Sequence, residues 1–489
     1  MPRNETRTGA AIPMIAASVA TLLLFSTSGC VTTGLDDPRL ATAVSSDIPE
    51  NWTAARIEVP GDAATAWMED FGDSALMDLA REAVGTNYNL VSTAARIRQA
   101  EERVRIANAD RRPLFDTDFT TSRSQNLRGA QFVSSRANQF ALGLDLIWEV
   151  DLWGRVANLK RARLAELDAA DSDFQAARLS LAANVAKTAL EQVESELQVE
   201  LSRKNLESLR ENLEILDAKL EAGDAEDRTA LDISLSRADV ARAESTIAQQ
   251  QREADASRRV LEALLGRYPK GKIKSIKELP AIHRSVPAGL PTTLLLRRPD
   301  LIAAEARVDA QLQEVAAARK ALLPTFRING GIGTSTTQEL KDLLNLSNLV
   351  WNIGQGLAQP VYQGGRLRSE IRLSEAERDE IAATYAETAL TAFREVETAL
   401  AAEQYYLRQL AALEKAVEES DRAERLSLDQ YEKGIPGVDI ITVLESQRRA
   451  FDARSTLLQL RLQRLQNRID LHLSLGGDFD HPPEVREGN

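Results

Sequence analysis

Cysteine is nearly absent from this chain of 489 residues: Cys30 is the only one, close to the N-terminus. No intramolecular disulfide can form, and no metal centre built on thiolates can be assembled. Histidine is almost as scarce. His283, His472 and His481 share no ligand spacing, so neither a metal cluster nor a histidine-based acid–base pair emerges. Arg297-Arg298-Pro299-Asp300 invites reading as a site, but a helix start capped by Asp300, with an ion-paired arginine, explains it better. No catalytic residue, metal or cofactor is assigned, and an enzyme is not expected. Aromatic residues make up only 5% of the chain, too few for a large aromatic-filled core, whereas its wealth of Ala, Leu, Glu, Arg and Gln favours long helices. A basic stripe is missing as well. The formal charge is −13, and arginines alternate with Glu and Asp, which argues against nucleic acid as a partner.

What is present begins with Arg3 and Arg7, an apolar stretch from about Ala10 to Phe25, and Ser26-Thr27-Ser28-Gly29-Cys30. The apolar run is shorter than the roughly 20 residues of a membrane-spanning helix and ends in small residues, so residues 1–29 read as a removable bacterial export signal. The segment resembles a lipoprotein processing site, with small residues at the two positions before Cys30, although Thr27 stands where such sites usually have Leu. That resemblance implies a lipid on Cys30, and Val31, in place of the Asp that commonly retains lipoproteins in the inner membrane, implies an outer-membrane address. A small buried cysteine is the blander alternative.

The decisive feature is a repeat. Asn89-Leu90-Val91-Ser92-Thr93-Ala94-Ala95-Arg96 parallels Asp300-Leu301-Ile302-Ala303-Ala304-Glu305-Ala306-Arg307, an offset of 211 that also pairs Pro113 with Pro324, Gly154-Arg155 with Gly365-Arg366, and Gly223 with Gly434. One residue is lost after Gly434, and the match resumes at 210 with Ser236 and Ser446 and with Gly266 and Gly476. The chain divides accordingly into a lipidated N-terminal linker and equatorial segment at 30–86, a first repeat at 87–280, a second at 281–478 and a flexible tail at 479–489. Trp52 and Trp67 are candidate anchors of the linker.

Within the first repeat, a run without Pro or Gly from about Asn87 to Arg112 predicts a helix that Pro113 closes. From Phe140 to Leu152 the period becomes two: Leu142, Leu144, Leu146 and Trp148 alternate with Gly143, Asp145, Ile147 and Glu149. Phe115 to Thr121 is a partner strand, and the polar stretch Ser122 to Asn138 is expected to join the two. The second repeat repeats the hairpin around Phe326–Ile332 and Leu349–Ile353. After Gly154-Arg155 no Gly or Pro occurs until Gly223, a helix of about 100 Å, with Leu206, Leu209, Leu213, Leu216 and Leu220 as a coiled-coil seam. It must return antiparallel, and the second repeat does the same around Gly434, Pro436 and Gly437.

Four amphipathic strands cannot close a membrane barrel alone, and an open edge is not tolerated in lipid. The fold class expected is therefore mainly α with a membrane β-barrel: four strands per protomer, twelve in a homotrimer, continued by a long α-helical coiled-coil tunnel. A soluble sheet and a coiled-coil scaffold are the alternatives for each part taken alone.

Leu294-Leu295-Leu296-Arg297-Arg298-Pro299-Asp300-Leu301, Ala317-Ala318, Leu323-Pro324-Thr325-Phe326, Trp148 to Arg155 and Gln359 to Arg366 together resemble the TolC-like outer membrane factors, in their NodT-type lipoprotein branch. The resemblance covers most of the chain after Cys30. It implies an outer-membrane exit channel of a tripartite efflux system, passing drugs and other small toxic compounds from an inner-membrane pump of the resistance-nodulation-division class through a periplasmic adaptor. It places adaptor-docking tips at Gly223, Tyr431 and Gly434. It places a closing ring at the periplasmic aperture on Ile441 and Glu445, one helical turn apart, with Asp439 as a neighbouring candidate and Val443 as the position expected to be silent. An exposed glutamate and a core isoleucine are the plainer reading of that pair. The turn at Gly223 is more acidic than the family pattern. A type I secretion duct, a metal-ion efflux duct and a structural lipoprotein tethering the envelope remain open alternatives.

Overall fold

Asp73 and Asn87 begin two successive helices by accepting hydrogen bonds from first-turn N–H groups, Asp73 from Ala75 at 2.8 Å and Asn87 from Asn89 at 2.9 Å. The helices are α1 (Ser74–Thr86) and α2 (Tyr88–Ala109) in a computed structural model that describes residues 49, 51–54, 67–128, 133–221, 229–274, 276–282, 286–287, 289 and 291–480. Cys30, Gly223, His283 and His481 lie outside the described residues. Reading residues 30–86 as linker and equatorial segment did not anticipate α1, whose buried stripe is only Leu76, Ala80 and Ala83.

Pro113 stops the helical path, and the chain continues as β1 (Leu114–Arg128), β2 (Val133–Val150), α3 (Arg155–Glu221) and α4 (Thr229–Leu264). After a four-residue helical turn come α5 (Pro299–Lys320), β3 (Thr325–Thr336), β4 (Leu349–Ala358), α6 (Arg366–Glu432) and α7 (Ile440–Ser474). Helices α5 and α6 and strand β3 begin 211 residues after α2, α3 and β1, while α7 ends 210 after α4. The residue missing from the second copy is therefore lost between the start of α6 and the end of α7. Helices α3 and α6 each hold 67 residues, about 100 Å of rise.

The strands form one antiparallel sheet in the order β1-β2-β3-β4. The helices beneath it keep that order, with α3 between α2 and α5, and α6 beside α5; farther along, the row becomes α4-α3-α7-α6. Strand position thus fixes helix position. The polar stretch Ser122 to Asn138 is not merely a joining loop: strand pairing reaches Arg128 and Val133. Alternating Ser, Asn and Arg satisfy the backbone ladder as well as apolar residues do, but carry no hydrophobic period to reveal it.

The core lies where both chain ends fold back on the helices. Trp67, Met68 and Phe71 pack with α1, with Leu179 to Val193 of α3, with Ile469 of α7 and with Phe479. Trp52 packs on Phe393, and the following Thr53 and Ala54 N–H groups donate to Glu397 at 2.8 Å. The expectation of a flexible tail from 479 needs correction. Phe479 is fully buried beneath the Arg178 guanidinium, and Asp480 pairs with Arg81 at 2.8 Å; an isolated aromatic beside acids and prolines gives no periodic signal. Asp300 does not cap α5 either. The cap position is Arg298, without a side-chain cap bond, and Asp300 instead holds the buried Arg298 guanidinium at 2.8 Å while Glu395 takes its other arm at 2.7 Å.

His472 of α7 stacks on Trp67 with centroids 5.6 Å apart and is only 1% exposed. Asp70 approaches Nε2 only to 3.6 Å. Burial, and then the nearby Arg468 charge, pushes the imidazole down from 6.5 to about 3. Between those values the unfolded chain binds a proton that the folded one refuses, so this contribution favours folding above pH 6.5 and turns against it as the pH falls toward 3. The slope is about 1.4 kcal/mol per pH unit. In denaturant titrations of the detergent-solubilised protein at pH 7 and pH 5, His472→Leu should therefore lose less stability on acidification than the parent. Equal losses would assign the acid sensitivity to other groups.

Candidate functional site: the two-faced sheet and the hairpin tips

Strand register sorts the side chains of the sheet into two unlike faces. Across the four strands, Phe119, Leu142, Thr334 and Leu349 lie in one row, Thr117, Leu144, Ile332 and Trp351 in the next, and Phe115, Leu146, Gly330 and Ile353 in a third. That face is a nearly continuous apolar band, and its Leu, Phe, Trp and Ile members, apart from the half-buried Leu146, are widely exposed in the single chain. The opposite face carries the row Asp116, Asp145, Gly331 and Asn352 and the row Glu149, Arg327 and Gly356. Glycine makes room for these acids. A Cβ on Gly143 would stand 2.6 Å from a carboxylate oxygen of Asp118, and one on Gly331 would stand 2.9 Å from one of Asp145. An apolar face opposed to an acidic and amide-lined one, on strands whose outer edges at β1 and β4 are unpaired among the described residues, suits a wall between lipid and water.

At the far end, α6 closes in a Schellman turn: Gly434 takes φ +66, its N–H donates to Tyr431 O at 3.1 Å, and Ile435 N–H donates to Gln430 O at 3.0 Å. Gly434 therefore has a backbone reason to be glycine, independent of docking. Tyr431 is half-buried, and Lys219 from the end of α3 lies 4.0 Å above its ring centroid, tying one hairpin tip to the other. Periodicity gave no hint of Lys219, because the contact joins residues of different helical hairpins.

Between the tips and the core, helices α3 and α7 meet along a polar seam. Asn212 donates to Gln447 at 2.6 Å, Gln447 donates to Ser208 at 2.9 Å, and Gln198 and Ser455 exchange hydrogen bonds near 3.0 Å. The leucine seam is only partly a core seam: Leu209 and Leu216 are buried, Leu206 and Leu213 pack at its margin, and Leu220 is exposed.

The aperture candidates divide by role. Asp439 caps α7, accepting from Thr442 N–H at 2.9 Å and from its hydroxyl at 2.7 Å. Ile441 is 47% exposed, next to the buried Ile440. Glu445 shares its exposed side of α7 but is not a bare carboxylate. Arg448 and Arg449 both donate to it at 2.8 Å and hold it below the usual carboxylate range. Val443 is fully buried, away from the exposed side of α7 that Ile441 and Glu445 share.

A family model described as outer membrane efflux protein matches the chain twice, over residues 79–267 and 290–477. The pyoverdine export outer membrane protein OpmQ of Pseudomonas putida is 30% identical over 458 residues, covering 90% of this chain and 93% of its own. The outer membrane protein OprJ of Pseudomonas aeruginosa is 30% identical over 472 residues, with 95% and 96% covered. The solved structure of the Campylobacter jejuni CmeC outer membrane channel shares the fold with a TM-score of 0.81 at 23% identity, over 91% of this chain and 92% of that one.

Replacing Ile441 and Glu445 together by Ala should raise single-channel conductance and lower cation selectivity, and Glu445→Gln alone should lower selectivity by leaving two arginines unbalanced. Val443→Ala should instead destabilise the protein by roughly 2 kcal/mol, from lost methyl burial and the cavity left behind. Conductance and selectivity unchanged in the double variant would place the constriction elsewhere.

Proposed function

The chain belongs to the outer membrane efflux protein family, and from that membership we propose that three copies of it form the exit duct of a tripartite efflux system. It is an outer-membrane efflux channel with a barrel continued by a periplasmic helical tunnel. The observation that carries the finer reading is the sheet with one apolar and one acidic face, whose two unpaired edges call for further strands. Three copies supply twelve strands, and the helix row α2-α3-α5-α6 beneath each sheet then continues the wall without a gap. The conduit acts by confinement and charge, with no chemical step, metal or cofactor. Its partners are a periplasmic adaptor on the tips around Tyr431 and Gly434, an inner-membrane pump of the resistance-nodulation-division class, and outer-membrane lipid. Its cargo is small molecules, a class that includes the pyoverdine of the OpmQ relative's name.

The same reading gives Cys30 an acyl anchor and makes Ile441 and Glu445 the aperture, with Asp439 setting where its helix begins. It treats the chain as a duplicated unit, supported by the offset of 211 shared by the starts of α2 and α5, of β1 and β3, and of α3 and α6. A tether that links the envelope through its coiled coils is the rival, favoured by the long helices taken alone.

Planar-bilayer recording of the purified protein separates the two, because a duct conducts and a tether is silent. Light scattering in detergent should give a mass near three chains of the processed protein, and a stable monomer would contradict the closure argument. Mass spectrometry of membrane-extracted protein should find an acylated Cys30 at the N-terminus. Cys30→Ser in an exported protein should weaken anchoring while channels still form, since the barrel inserts by itself.

A further inference from the structure

Where strands give way to helices, the chain reverses its sign of charge. Residues 108–113, 149–163, 316–327 and 359–372 contain twelve Arg and Lys against four Asp and Glu, in a chain whose net charge is −13. Part of this excess is spent locally: Arg155 binds Glu149 at 2.7 Å, Arg319 binds Glu375 at 2.7 Å, and Arg366 binds Glu370 at 2.6 Å. Arg111, Arg112, Arg161 and Arg368 are exposed, and among the described residues they have no acidic partner.

Their level is set by the sheet. Arg111 and Arg112 immediately precede Pro113 and β1, Arg368 is the third residue of α6, and Arg161 lies six residues into α3, a rise of about 9 Å. Trp148, on the apolar face, donates from Nε1 to the Arg111 carbonyl at 3.1 Å, and Trp153 donates to the Pro324 carbonyl at 2.7 Å. Tyr362, in the segment joining β4 to α6, is 87% exposed. Trp and Tyr at the end of an apolar strand face mark the boundary between hydrocarbon and headgroups. The headgroup layer beyond it is about 5–8 Å deep; Arg111, Arg112 and Arg368 flank the strand ends directly, and Arg161, about 9 Å along α3, carries a long side chain on a helix whose Cα–Cβ bonds tilt toward its N-terminus and hence toward the sheet.

We propose that Arg111, Arg112, Arg161 and Arg368 form a collar that seats the phosphates of anionic phospholipids in the periplasmic leaflet of the outer membrane. The assignment rests on the barrel reading above. Guanidinium groups match phosphate oxygens with paired N–H donors, and juxtamembrane cations gain from the negative surface potential of an anionic leaflet. A channel carrying net negative charge would otherwise be repelled by that surface.

The test uses the full-length trimer in mixed micelles of phosphatidylglycerol and phosphatidylcholine at equal mole fraction, with the lipid retained after detergent exchange measured by mass spectrometry. The parent should retain phosphatidylglycerol several-fold over phosphatidylcholine. Arg111→Gln, Arg112→Gln, Arg161→Gln and Arg368→Gln combined should bring the ratio to parity, while the four corresponding Lys substitutions should keep most of the preference. Inorganic phosphate at the same concentration should leave the parent's lipid ratio unchanged. Parity in the parent, a preference surviving in the glutamine variant, or abolition by inorganic phosphate would each overturn the proposal. A glutamine variant that no longer trimerises, beside a lysine variant at parity, would assign the arginines to subunit packing and overturn it too. Bilayer recording separates the two levels: a protein that conducts without lipid preference defeats only the collar, whereas one that never conducts defeats the barrel reading itself.

Discussion

Backbone N–H and C=O groups at the edge of a sheet have no water to bond inside a bilayer, and this constraint organises the whole molecule. Strands β1 and β4 each leave such an edge. Once closure must come from other copies, the helices are no longer free to pack as a compact bundle. Each leaves its strand in register, so the row of helices inherits the order of the row of strands. Length follows from the same requirement, because a wall is sealed only if its members end together, and α3 and α6 hold equal numbers of residues.

A wall of matched helices has little to fix its vertical register, since leucine seams tolerate sliding by a heptad. Here the polar contacts do that work. Asn212 with Gln447 and Gln198 with Ser455 are side-chain pairs whose hydrogen bonds form in one register only, and a polar pair left unmatched in a packed seam is costly. Near the tips the cation–π contact of Lys219 with Tyr431 adds a third link between the hairpins. The α3–α7 junction is thereby specified chemically as well as by shape.

Much of this was legible in the sequence, and the exceptions have physical causes. Pro113, Gly154 and Gly434 mark boundaries because each has a backbone property no other residue supplies at that place; Gly154 and Gly434 both take positive φ. Alternation from Phe140 to Val150 is readable because one face is apolar, whereas the outer halves of β1 and β2 are mostly polar on both faces and carry no period that marks them as strand. The offset of 211 exposed the equivalence of the helices but was blind to contacts between them. Hence Lys219 on Tyr431, Arg448 and Arg449 on Glu445, and Trp67 on His472 required the fold. Spacing identified Ile441 and Glu445 as neighbours on one side of α7. It did not reveal that the glutamate is already neutralised.

The residue missing from the second hairpin relative to the first bears on symmetry. The elements up to the start of α6 keep the offset of 211 and the ends of α4 and α7 differ by 210, and the sequence match at 210 resumes by Ser446, so the loss lies between Gly434 and Ser446, at the tip of the hairpin. The two hairpins of a chain, alike over most of their length, therefore differ at this level. In the proposed trimer, hairpins that match higher up alternate between two kinds at the narrow end, and anything that meets that end meets a three-fold surface with two faces per period.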